Sequence, residues 1–590
     1  MFKKENLIKL ENQIKEDGFD AYLILTSDPH ASEYCAAHFL DQRKYFCPFS
    51  GSAGQVLVLK DEAFLFTDGR YWIQAGKELE DSGVTLMRDG DKGVLSLSDF
   101  IKFKGIKNLA TDTLIMSEQM YEALSNKGIN VIDKSYAYMI ENLAPLSKDK
   151  IFKLREGLNS LSYLEKIENI IKQVEEKGAE ANLITTLDDI AWILNLRSND
   201  IPCNPVFYSY LYLSKKYGNH LFVDLDKIDF ATPNISIHKY EEISEFLKEH
   251  DEVKTLIDPS KVNAKLFNIL KNKILGKNPS YLMKAIKGEV EANNTKRIQA
   301  IDGVALLKFG KYLEDNLHKN LSEYDYSEKL KEFRLENKEC FELSFDTIAA
   351  VGPNAAQMHY EPTKEIHSVV SNKDIELLVD SGGQYYGGTT DTTRTFLIGK
   401  PTQEYIHDYT LTLKAVIAVS NTIFLQGSDG HTIDIRSREY FWKEGMDYKC
   451  GTGHGVGYIL NVHEGPNGLR YRAMKDRDDQ GAIVPGMITT IEPGVYKENK
   501  YGIRIENNLL CVKAFETNDG LFYKFETITY VPIETRSLDL SMMTSEEIEW
   551  LNNYHKNVYN ILYPLIKDDA GLVNYLKEKT KAIGKKNKTL

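Results

Sequence analysis

The chain has 590 residues, of which 27% are charged and 42% are hydrophobic, and its formal net charge is −13. This is the composition of a globular protein of several domains, and its acidic balance argues against nucleic acid as a partner. No apolar run reaches the length of a membrane span or of a signal-peptide core, and the six cysteines show no paired spacing. These features predict a cytoplasmic protein that has no membrane partner.

An internal repeat occupies the first part of the chain. The segment Asp20–Ala31 (DAYLILTSDPHA) matches Glu180–Ala191 (EANLITTLDDIA) at six positions. Short apolar strands alternate with amphipathic helices such as YLEKIENIIKQVEEKG in this part of the sequence. The repeat predicts two related α/β domains, at residues 1–150 and 151–285.

A third predicted domain covers residues 286–590. It opens on a helical pattern whose apolar face includes Ile298 and Leu306, and the glycine-rich and carboxylate-rich segments follow. The chain ends with six lysines between Lys577 and Lys588. That run indicates a solvated helix end followed by a frayed tail.

Two predicted hairpins in this third region each carry two acids. In the first, IELLVDSGGQYYGGTTDTTRTF, Asp380 ends an apolar strand and Asp391 lies within the next strand. A turn about Tyr385–Tyr386 would place the two aspartates opposite each other, with Cβ atoms about 4.5–5.5 Å apart. Like charges at that separation are destabilising unless a cation lies between them.

The second hairpin, ITTIEPGVYKENKYGIRIENNLL, repeats this arrangement. Glu492 ends one apolar run, Glu506 lies inside the next, and a turn about Asn499 sets them opposite each other. Four carboxylates embedded in apolar sequence would each take up a proton unless counter-charge is supplied. Because two divalent ions supply four positive charges against these four negative ones, the pattern predicts a dinuclear metal site.

One histidine completes the predicted site. His454 lies in GTGHGVG, where four glycines alternate around it. The glycines allow the backbone to pass close to a crowded centre and to a substrate. Oxygen-dominated coordination with one imidazole favours Mn²⁺, with Co²⁺, Zn²⁺ or Fe²⁺ as alternatives. Two such ions with a bridging hydroxide form a hydrolytic centre, since they lower the pKa of water and polarise a carbonyl.

These five residues, in this order and context, resemble the ligands of the pita-bread metallopeptidases. The whole chain is similar to the long, three-domain Xaa-Pro aminopeptidase (aminopeptidase P) family. The similar segments include TDGRYW at 67–72, DDIAWILNLR at 188–197, MHYEPT at 358–363 and NVHEGP at 461–466. The resemblance implies an α/β (α+β) fold in which two creatinase-like N-terminal domains precede a pita-bread catalytic domain.

The resemblance also implies a role for each metal ligand. Asp380 would bind one ion through both carboxylate oxygens. Asp391 and Glu506 would bridge the two ions. His454 and Glu492 would complete the shell of the other ion. Glu492 would also accept the proton of the attacking water and pass it on.

Three further side chains are implied to contact the substrate, together with His454. His359 and His463 match histidines that hold the scissile carbonyl and the tetrahedral intermediate, where a positioned donor stabilises the developing charge. Arg70, in TDGR, matches an arginine that reaches the peptide beyond the proline.

Two residues near the ligands need separate comment. Arg504 lies two residues before Glu506, on the same strand face, and is interpreted as a charge partner of the acids. Cys450 stands four residues before His454, where many members of the family have histidine. No activating base for its thiol is evident, so Cys450 is interpreted as a structural residue that alters the shape of the substrate site.

The implied activity is hydrolysis of the bond between residue one of a peptide and a proline at residue two, by a homodimer with two divalent ions in each subunit. A prolidase, which cleaves Xaa-Pro dipeptides, is an alternative with the same ligand set, although prolidases usually have one front domain. A non-catalytic peptide-binding scaffold is a second alternative. Scaffold relatives lose metal ligands, whereas all five are intact here.

Overall fold

The computed structural model describes residues 2–472 and 481–584, and it divides into two compact units. The first unit comprises Met1–Leu154 and Leu161–Tyr281, and the second comprises Arg155–Ser160 and Leu282–Leu590. The first unit contains the predicted domain 1–150 and most of the predicted domain 151–285, of which residues 155–160 and 282–285 belong to the second unit. Their limits at residues 150 and 285 therefore stay predictions.

Two six-stranded mixed sheets form the first unit, and they share one strand order and one set of orientations. In each sheet the first strand in sequence pairs antiparallel with the second and parallel with the fifth. The strands of one sheet are Ala21–Ile24, Gln55–Val58, Ala63–Thr67, Val84–Arg88, Asn108–Thr111 and Asn130–Asp133. The strands of the other are Ala181–Ile184, Ser209–Ser214, Gly218–Val223, Ser236–Lys239, Thr255–Ile257 and Lys273–Leu275.

Helices cover these sheets. The predicted helix YLEKIENIIKQVEEKG spans Tyr163–Glu176, begins with a capping box between Ser162 and Glu165, and buries Ile167 and Ile170. The other helices of this unit are Lys4–Glu16, Ala37–Phe46, Trp72–Glu78, Leu97–Phe103, Glu118–Ser125, Leu187–Leu194, Ile243–Glu249 and Ala264–Phe267. The helix Pro279–Ala285 crosses the division between the units.

Polar contacts join the two halves of the first unit. The Nδ1 of His30 donates to the carbonyl of Thr185 at 2.7 Å, and its Nε2 accepts from the hydroxyl of Tyr240 at 2.7 Å. The amide of Asn263 donates to the carbonyl of Pro29 at 3.0 Å. Burial lowers the pKa of His30 to about 4, so this imidazole is neutral near pH 7.

In the second unit, long helices pack around antiparallel sheets. Its helices are Glu289–Asn316, Glu323–Leu335, Gln403–Ser420, Gly430–Lys443, Ser545–Ile566 and Ala570–Lys579. One six-stranded sheet runs in the order Ile423–Leu425, Gly520–Thr527, Asn507–Thr517, Ile488–Ile491, Gly453–Gly455, Glu464–Leu469. The strands Ile348–Val351, Glu376–Ser381 and Thr392–Leu397 form another sheet. A small sheet contains Cys340–Leu343, Gly383–Tyr385 and Gly388–Thr389, and a separate hairpin pairs Gly494–Lys497 with Tyr501–Arg504.

The register of the first acidic hairpin differs from the sequence prediction. Asp380 pairs with Thr393, and Ser381 pairs with Thr392, so Asp391 lies two positions away from the place opposite Asp380. The predicted direct opposition is therefore wrong. Because side chains alternate with a period of two, a shift of two positions keeps both aspartates on the same face.

The register of the second acidic hairpin agrees with the prediction. Gly494 pairs with Arg504 and Lys497 pairs with Tyr501, which centres the turn on Asn499. Asn499 has a positive φ of 62°, a conformation that asparagine tolerates. Continued by two residues, this register sets Glu492 opposite Glu506.

Two expectations concern regions outside the catalytic core. In residues 2–472 and 481–584, no helix is long and apolar enough to cross a membrane. The predicted lysine-rich helix end is present, since the last helix stops at Lys579. Residues 585–590 of the predicted tail lie outside the described residues.

Candidate metal centre

Three of the predicted ligands form one cluster. One ligand atom from each of Asp391, His454 and Glu506 lies within 4.8 Å of the other two. His454 is the middle residue of the strand Gly453–Gly455. Each of the two acids directly precedes the first residue of a strand. The convergence therefore depends on the pairing of distant strands.

The other two predicted ligands adjoin this cluster. The Nε2 of His454 is 3.3 Å from Oδ2 of Asp391 and 3.6 Å from Oε1 of Glu492. Thr393, which faces Asp380 in the ladder, donates from Oγ1 to Oε2 of Glu506 at 2.9 Å. The structure thus brings all five predicted ligands to one site.

The backbone carbonyl of Gly455 determines the position of a hydrogen on the His454 ring. The Nδ1 of its ring lies 2.9 Å from the carbonyl oxygen of Gly455, which can only accept, so the hydrogen is on Nδ1. In the neutral imidazole, the lone pair of Nε2 then points towards the carboxylates of Asp391 and Glu492. A lone pair facing two carboxylates is repulsive unless a cation lies between them, and a neutral imidazole in this tautomer is a metal ligand.

Unpaired carboxylate oxygens show that the donor set fits divalent ions. Within the described part of the chain, Oδ1 of Asp380 and Oε1 of Glu506 are buried without a hydrogen-bond partner. Burial, followed by repulsion from neighbouring carboxylates, raises the pKa of both Asp391 and Glu506. Burial also raises the pKa of Glu492. Oxygen atoms left in this condition are suited to hard cations, which supply the missing charge.

Arg504 contacts the cluster as the sequence indicated. Its Nη2 donates to Oδ2 of Asp380 at 2.7 Å, and its Nη1 donates to the hydroxyl of Tyr496 at 2.7 Å. Its Nε donates to Oγ1 of Thr393 at 3.2 Å. Thr393 in turn holds Glu506, so one guanidinium orients two acids.

The glycines around His454 are required by close strand crossings. A Cβ at Gly453 would overlap the carbonyl oxygen of Thr490, and a Cβ at Gly455 would overlap the carbonyl oxygen of Glu464. Neither glycine has a positive φ. The expected close approach of the backbone is therefore present. The glycines lie against the backbone of neighbouring strands in the same sheet.

The two predicted substrate histidines lie beside the cluster. The ring of His463 meets the ring of His454 edge to face, with centroids 4.3 Å apart. The carbonyl of Met358, the residue before His359, accepts from Nη2 of Arg504 at 3.4 Å. Both histidines are half-buried.

Arg70 belongs to the first unit, where it has a strong local partner. Its Nε and Nη2 donate to the two carboxylate oxygens of Asp68 at 2.8 and 2.7 Å. This bidentate pair orients the guanidinium, and Nη1 is the nitrogen that does not donate to Asp68. The contact with a peptide that the resemblance implies stays a prediction.

Cys450 lies against the helix Gly430–Lys443. Arg438 of that helix donates from Nη2 to the carbonyl of Cys450 at 2.7 Å. Burial raises the pKa of the Cys450 thiol to about 12, so the thiol is neutral and is a poor nucleophile. This agrees with the structural interpretation of the residue.

Two supporting ionic clusters were not predicted from the sequence. Arg438 pairs with Asp434 at 2.8 Å, and Asp434 accepts from the hydroxyl of Thr452, whose carbonyl accepts from the backbone N–H of Glu492 at 2.8 Å. Asp434 and Arg438 lie four residues apart on the helix Gly430–Lys443, a spacing that the sequence shows. Their contacts with Thr452 and with the carbonyl of Cys450 join separate segments, and no local pattern could have identified those contacts.

The second unpredicted cluster lies next to His463. Glu464 is buried against Lys287, which contacts its Oε1, and Lys284, whose Nζ is 3.8 Å from its Oε2. Glu464 is also paired with Gly455 in the sheet. This buried ionic cluster therefore holds the strand that follows His463 and lies beside His454.

Comparison with protein-family models covers most of the chain. Residues 293–513 match the model of metallopeptidase family M24, and residues 521–583 match the C-terminal region of the M24 peptidases. Residues 7–143 and 142–291 each match a creatinase/prolidase N-terminal domain. The predicted fold class, two creatinase-like domains followed by a pita-bread metallopeptidase domain, is confirmed.

Full-length relatives decide the family. The chain is 35% identical over 609 residues to Xaa-Pro aminopeptidase 1 of Dictyostelium discoideum, with 98% of this chain and 96% of that protein covered. The chain belongs to the Xaa-Pro aminopeptidases of metallopeptidase family M24. It is also 34% identical to a probable Xaa-Pro aminopeptidase P of Tuber melanosporum, with 98% of each protein covered.

A solved Xaa-Pro aminopeptidase has the same architecture. The X-prolyl aminopeptidase of Caenorhabditis elegans matches with a TM-score of 0.92 and 30% sequence identity, over 98% of this chain and 100% of that one. That protein is described as a cytosolic enzyme with a di-nuclear active site. Together with the donor set of this chain, the M24 Xaa-Pro aminopeptidase family supports a site for two divalent ions.

Proposed function

We propose that this protein is a metal-dependent aminopeptidase that hydrolyses the bond between residue one and a proline at residue two of a peptide. The convergence of Asp391, His454 and Glu506, with Glu492 3.6 Å from the same imidazole nitrogen, is the observation that carries the proposal. Full-length similarity to proteins named Xaa-Pro aminopeptidases supports the bond type.

Five side chains would hold two divalent ions. Asp380 would hold one ion with both oxygens, and Asp391 and Glu506 would be shared by the two ions. His454 and Glu492 would be the remaining ligands of the second ion. When bound, the ions supply an activated water and polarise the scissile carbonyl. We favour Mn²⁺ because four of the five ligands donate oxygen, with Co²⁺ or Zn²⁺ as alternatives.

Protein groups then move protons and bind the substrate. Glu492, with 21% of its side chain exposed, would take the proton of the attacking water and deliver it to the leaving proline nitrogen. His463, which packs on His454, and His359 would donate hydrogen bonds to the oxygen on which charge develops. Arg70 would bind the peptide beyond the proline.

The chemistry of proline explains why such a site is needed. The nitrogen of an Xaa-Pro bond carries no hydrogen, so a peptidase that recognises that N–H loses a contact. A site that acts on the carbonyl and on the free α-amino group does not require it. We further propose a homodimer located in the cytoplasm, in line with the cytosolic relative.

Peptide cleavage by metal-depleted protein, with metals restored one at a time, tests the proposal. We expect no cleavage of an Xaa-Pro-Pro tripeptide without metal and recovery with Mn²⁺. A prolidase would instead prefer the Xaa-Pro dipeptide. A non-catalytic scaffold would bind no stoichiometric metal and would cleave neither peptide, which would contradict the proposal.

A further inference from the structure

Arg394 is a buried arginine in the strand that follows the predicted ligand Asp391. Only 2% of the residue is exposed, and it belongs to the strand Thr392–Leu397. Its guanidinium donates to six oxygen atoms, all of them uncharged. They are the carbonyls of Thr393, Glu506, Val531 and Pro532, the side-chain oxygen of Asn507 and the hydroxyl of Tyr554. These bonds join the strand to three other segments of the chain.

One nitrogen of this guanidinium holds the backbone on both sides of a predicted ligand contact. Nη1 donates to the carbonyl of Thr393 at 2.8 Å and to the carbonyl of Glu506. The backbone N–H of Glu506 donates to the same carbonyl of Thr393 at 3.2 Å, and Oγ1 of Thr393 donates to Oε2 of Glu506 at 2.9 Å. Because Thr393 orients the carboxylate of Glu506, a displacement of either carbonyl would move a ligand atom.

Neighbouring bonds connect Asp391 to the segment that follows Glu506. Nδ2 of Asn508 donates to the carbonyl of Asp391. Oδ1 of Asn507 accepts from Nη2 of Arg394 at 2.8 Å. The backbone that carries one acid is therefore fastened to the backbone that carries the other, and Arg394 supplies two of the bonds between them.

The other side of the guanidinium contacts the C-terminal region. Nη2 is 2.9 Å from the carbonyl of Val531 and 2.8 Å from the hydroxyl of Tyr554, and Nε donates to the carbonyl of Pro532 at 3.1 Å. Tyr554 belongs to the helix Ser545–Ile566. All three residues lie within 521–583, which match the C-terminal region of the M24 peptidases. One side chain thus connects this region to the segments that carry the two acids.

The chemistry of the guanidinium explains why an arginine is used here. Burying a charged side chain costs free energy, whereas an apolar residue would avoid that cost but would leave buried acceptors unpaired. Lysine keeps the charge, but its three donors diverge from one nitrogen, while the five donors of arginine lie in one plane. The planar arrangement of donors, more than the charge, suits Arg394 to hold several segments at once.

On these grounds we infer that Arg394 is a positioning residue for Asp391 and Glu506, and that it makes the C-terminal region part of the support of the metal centre. This inference rests on the proposed function, in which both acids are shared by the two ions. The replacement of a residue that orients metal ligands changes metal affinity, which distinguishes it from a residue that only stabilises the fold.

Metal binding by Arg394→Lys tests the inference. We expect the affinity of the metal-free protein for Mn²⁺, measured by calorimetry, to fall about 10–100-fold. Melting temperatures give a second measurement, since the value without metal reports the stability of the fold and the rise with Mn²⁺ reports binding to the folded state. This rise should be smaller for Arg394→Lys than for the native protein. Native affinity with a native rise would overturn the role of Arg394.

Arg334→Lys is the matched control. Arg334 is fully buried in the helix Glu323–Leu335 of the same unit, and its Nε donates to Oδ1 of Asp302 at 2.7 Å. Its replacement should lower the melting temperature without metal and leave the rise with Mn²⁺ unchanged. An equal reduction of the rise in both variants would show that metal binding follows general stability, and the inference would be wrong.

Tyr554→Phe decides the question if Arg394→Lys does not fold. It removes one acceptor of the guanidinium and keeps the ring that stacks on Trp550. We expect the affinity for Mn²⁺ to fall about two- to tenfold, which is the effect of one hydrogen bond. Tyr575→Phe, in the helix Ala570–Lys579, is the control and should bind Mn²⁺ as the native protein does. Equal affinities of the two variants would overturn the inference.

Peptide cleavage separates this inference from the proposed function. If the native protein binds two Mn²⁺ ions with an affinity that depends on Arg394 but cleaves no Xaa-Pro peptide, the proposed function fails and the inference stands. If the native protein cleaves the Xaa-Pro-Pro tripeptide while Arg394→Lys binds Mn²⁺ with native affinity, the proposed function stands and the role of Arg394 fails.

Discussion

Arg504 and Asp380 form a buried ion pair at the metal centre, with Nη2 of the arginine 2.7 Å from Oδ2 of the aspartate. The other oxygen of Asp380 is buried without a hydrogen-bond partner in the part of the chain that the structure describes. Arg504 thus orients the carboxylate through one oxygen, which keeps a second lone pair for a metal ion, and the other oxygen has no protein donor. The pair couples the two acidic hairpins, because Asp380 belongs to one and Arg504 to the other.

Replacing Arg504 by lysine should weaken metal binding while the chain still folds. Lysine keeps the charge but cannot contact Asp380, Tyr496 and Thr393 at once. We expect metal affinity or kcat to fall by about 10–100-fold, the range for residues that orient metal ligands. Metal titration monitored by calorimetry measures this, and Arg436→Lys, at a half-exposed arginine, is the control. Unchanged affinity would show that Arg504 has no part in orienting the ligands.

Glu492→Gln should abolish turnover and preserve the fold. Glutamine has the shape of glutamate but cannot accept the proton of the attacking water at neutral pH. We expect kcat to fall at least about a thousandfold, with a melting temperature close to that of the native protein. Glu498→Gln, at an exposed position, is the control and should retain full activity. Near-normal turnover of Glu492→Gln would contradict the role assigned to this residue.

Breaking the buried cluster beside His463 should destabilise the catalytic unit. Glu464→Gln leaves Lys287 and Lys284 buried without their carboxylate, and the loss of one partner of a buried pair costs about 3–5 kcal/mol. Adding Lys287→Met should restore part of that stability, since it removes one uncompensated charge. The exposed pair of Lys296 and Glu526 is the control, where Glu526→Gln should cost less than about 1 kcal/mol.

Denaturant unfolding, followed by a probe in the catalytic unit, gives these free energies. If Glu464→Gln is no more destabilising than Glu526→Gln, the buried cluster does not stabilise the strand after His463. A second readout is the split between KM and kcat, because a displaced His463 should lower kcat more than it raises KM.

The glycines at 451 and 453 should differ in their tolerance of alanine. A methyl group at Gly453 would overlap the carbonyl oxygen of Thr490, which belongs to a paired strand that cannot move away easily. At Gly451 the nearest atoms belong to the flexible end of Arg470. We therefore expect Gly453→Ala to lose metal binding and stability, and Gly451→Ala to fold normally. Melting temperatures with and without Mn²⁺ measure the difference, and equal effects at both positions would refute this explanation.

Stability of the first unit should fall in acid because of His30. Its folded pKa is about 4, below the value of about 6.5 expected in the unfolded chain. The unfolded state therefore binds more protons between these values, and stability is lost as the pH falls from about 6.5 to 4. The shift corresponds to about 3 kcal/mol once both states are protonated.

Comparison of His30→Gln with the native protein isolates this contribution. Urea unfolding of the first unit at pH 7.5 and at pH 4.5 should show a smaller acid-induced loss in the variant, because glutamine does not titrate. His318→Gln, at an exposed position of the second unit, should leave the loss unchanged. An identical loss in native protein and His30→Gln would exclude His30 as its source.

The second acidic hairpin shows how far local sequence reasoning extends. Its strands and its turn at Asn499 follow from alternating apolar residues and a residue that tolerates positive φ, so the opposition of Glu492 and Glu506 was predictable. The first hairpin was predicted with a register error of two residues. Its ladder is interrupted at Gly382, which has no Cβ and lies against Thr390, and a local pattern does not reveal that close approach.

The sequence by itself determined which side chains we predict to carry the chemistry, because four acids in apolar strands and one glycine-flanked histidine are too costly to bury without metal ions. Only the tertiary structure decided how they are supported. The contacts of Asp434 with Thr452, of Lys287 with Glu464 and of Arg470 with Gly451 each join separate segments of the chain. Such pairs follow no periodicity, since the sheet and helix packing of the whole unit, rather than local backbone preference, brings their charges together.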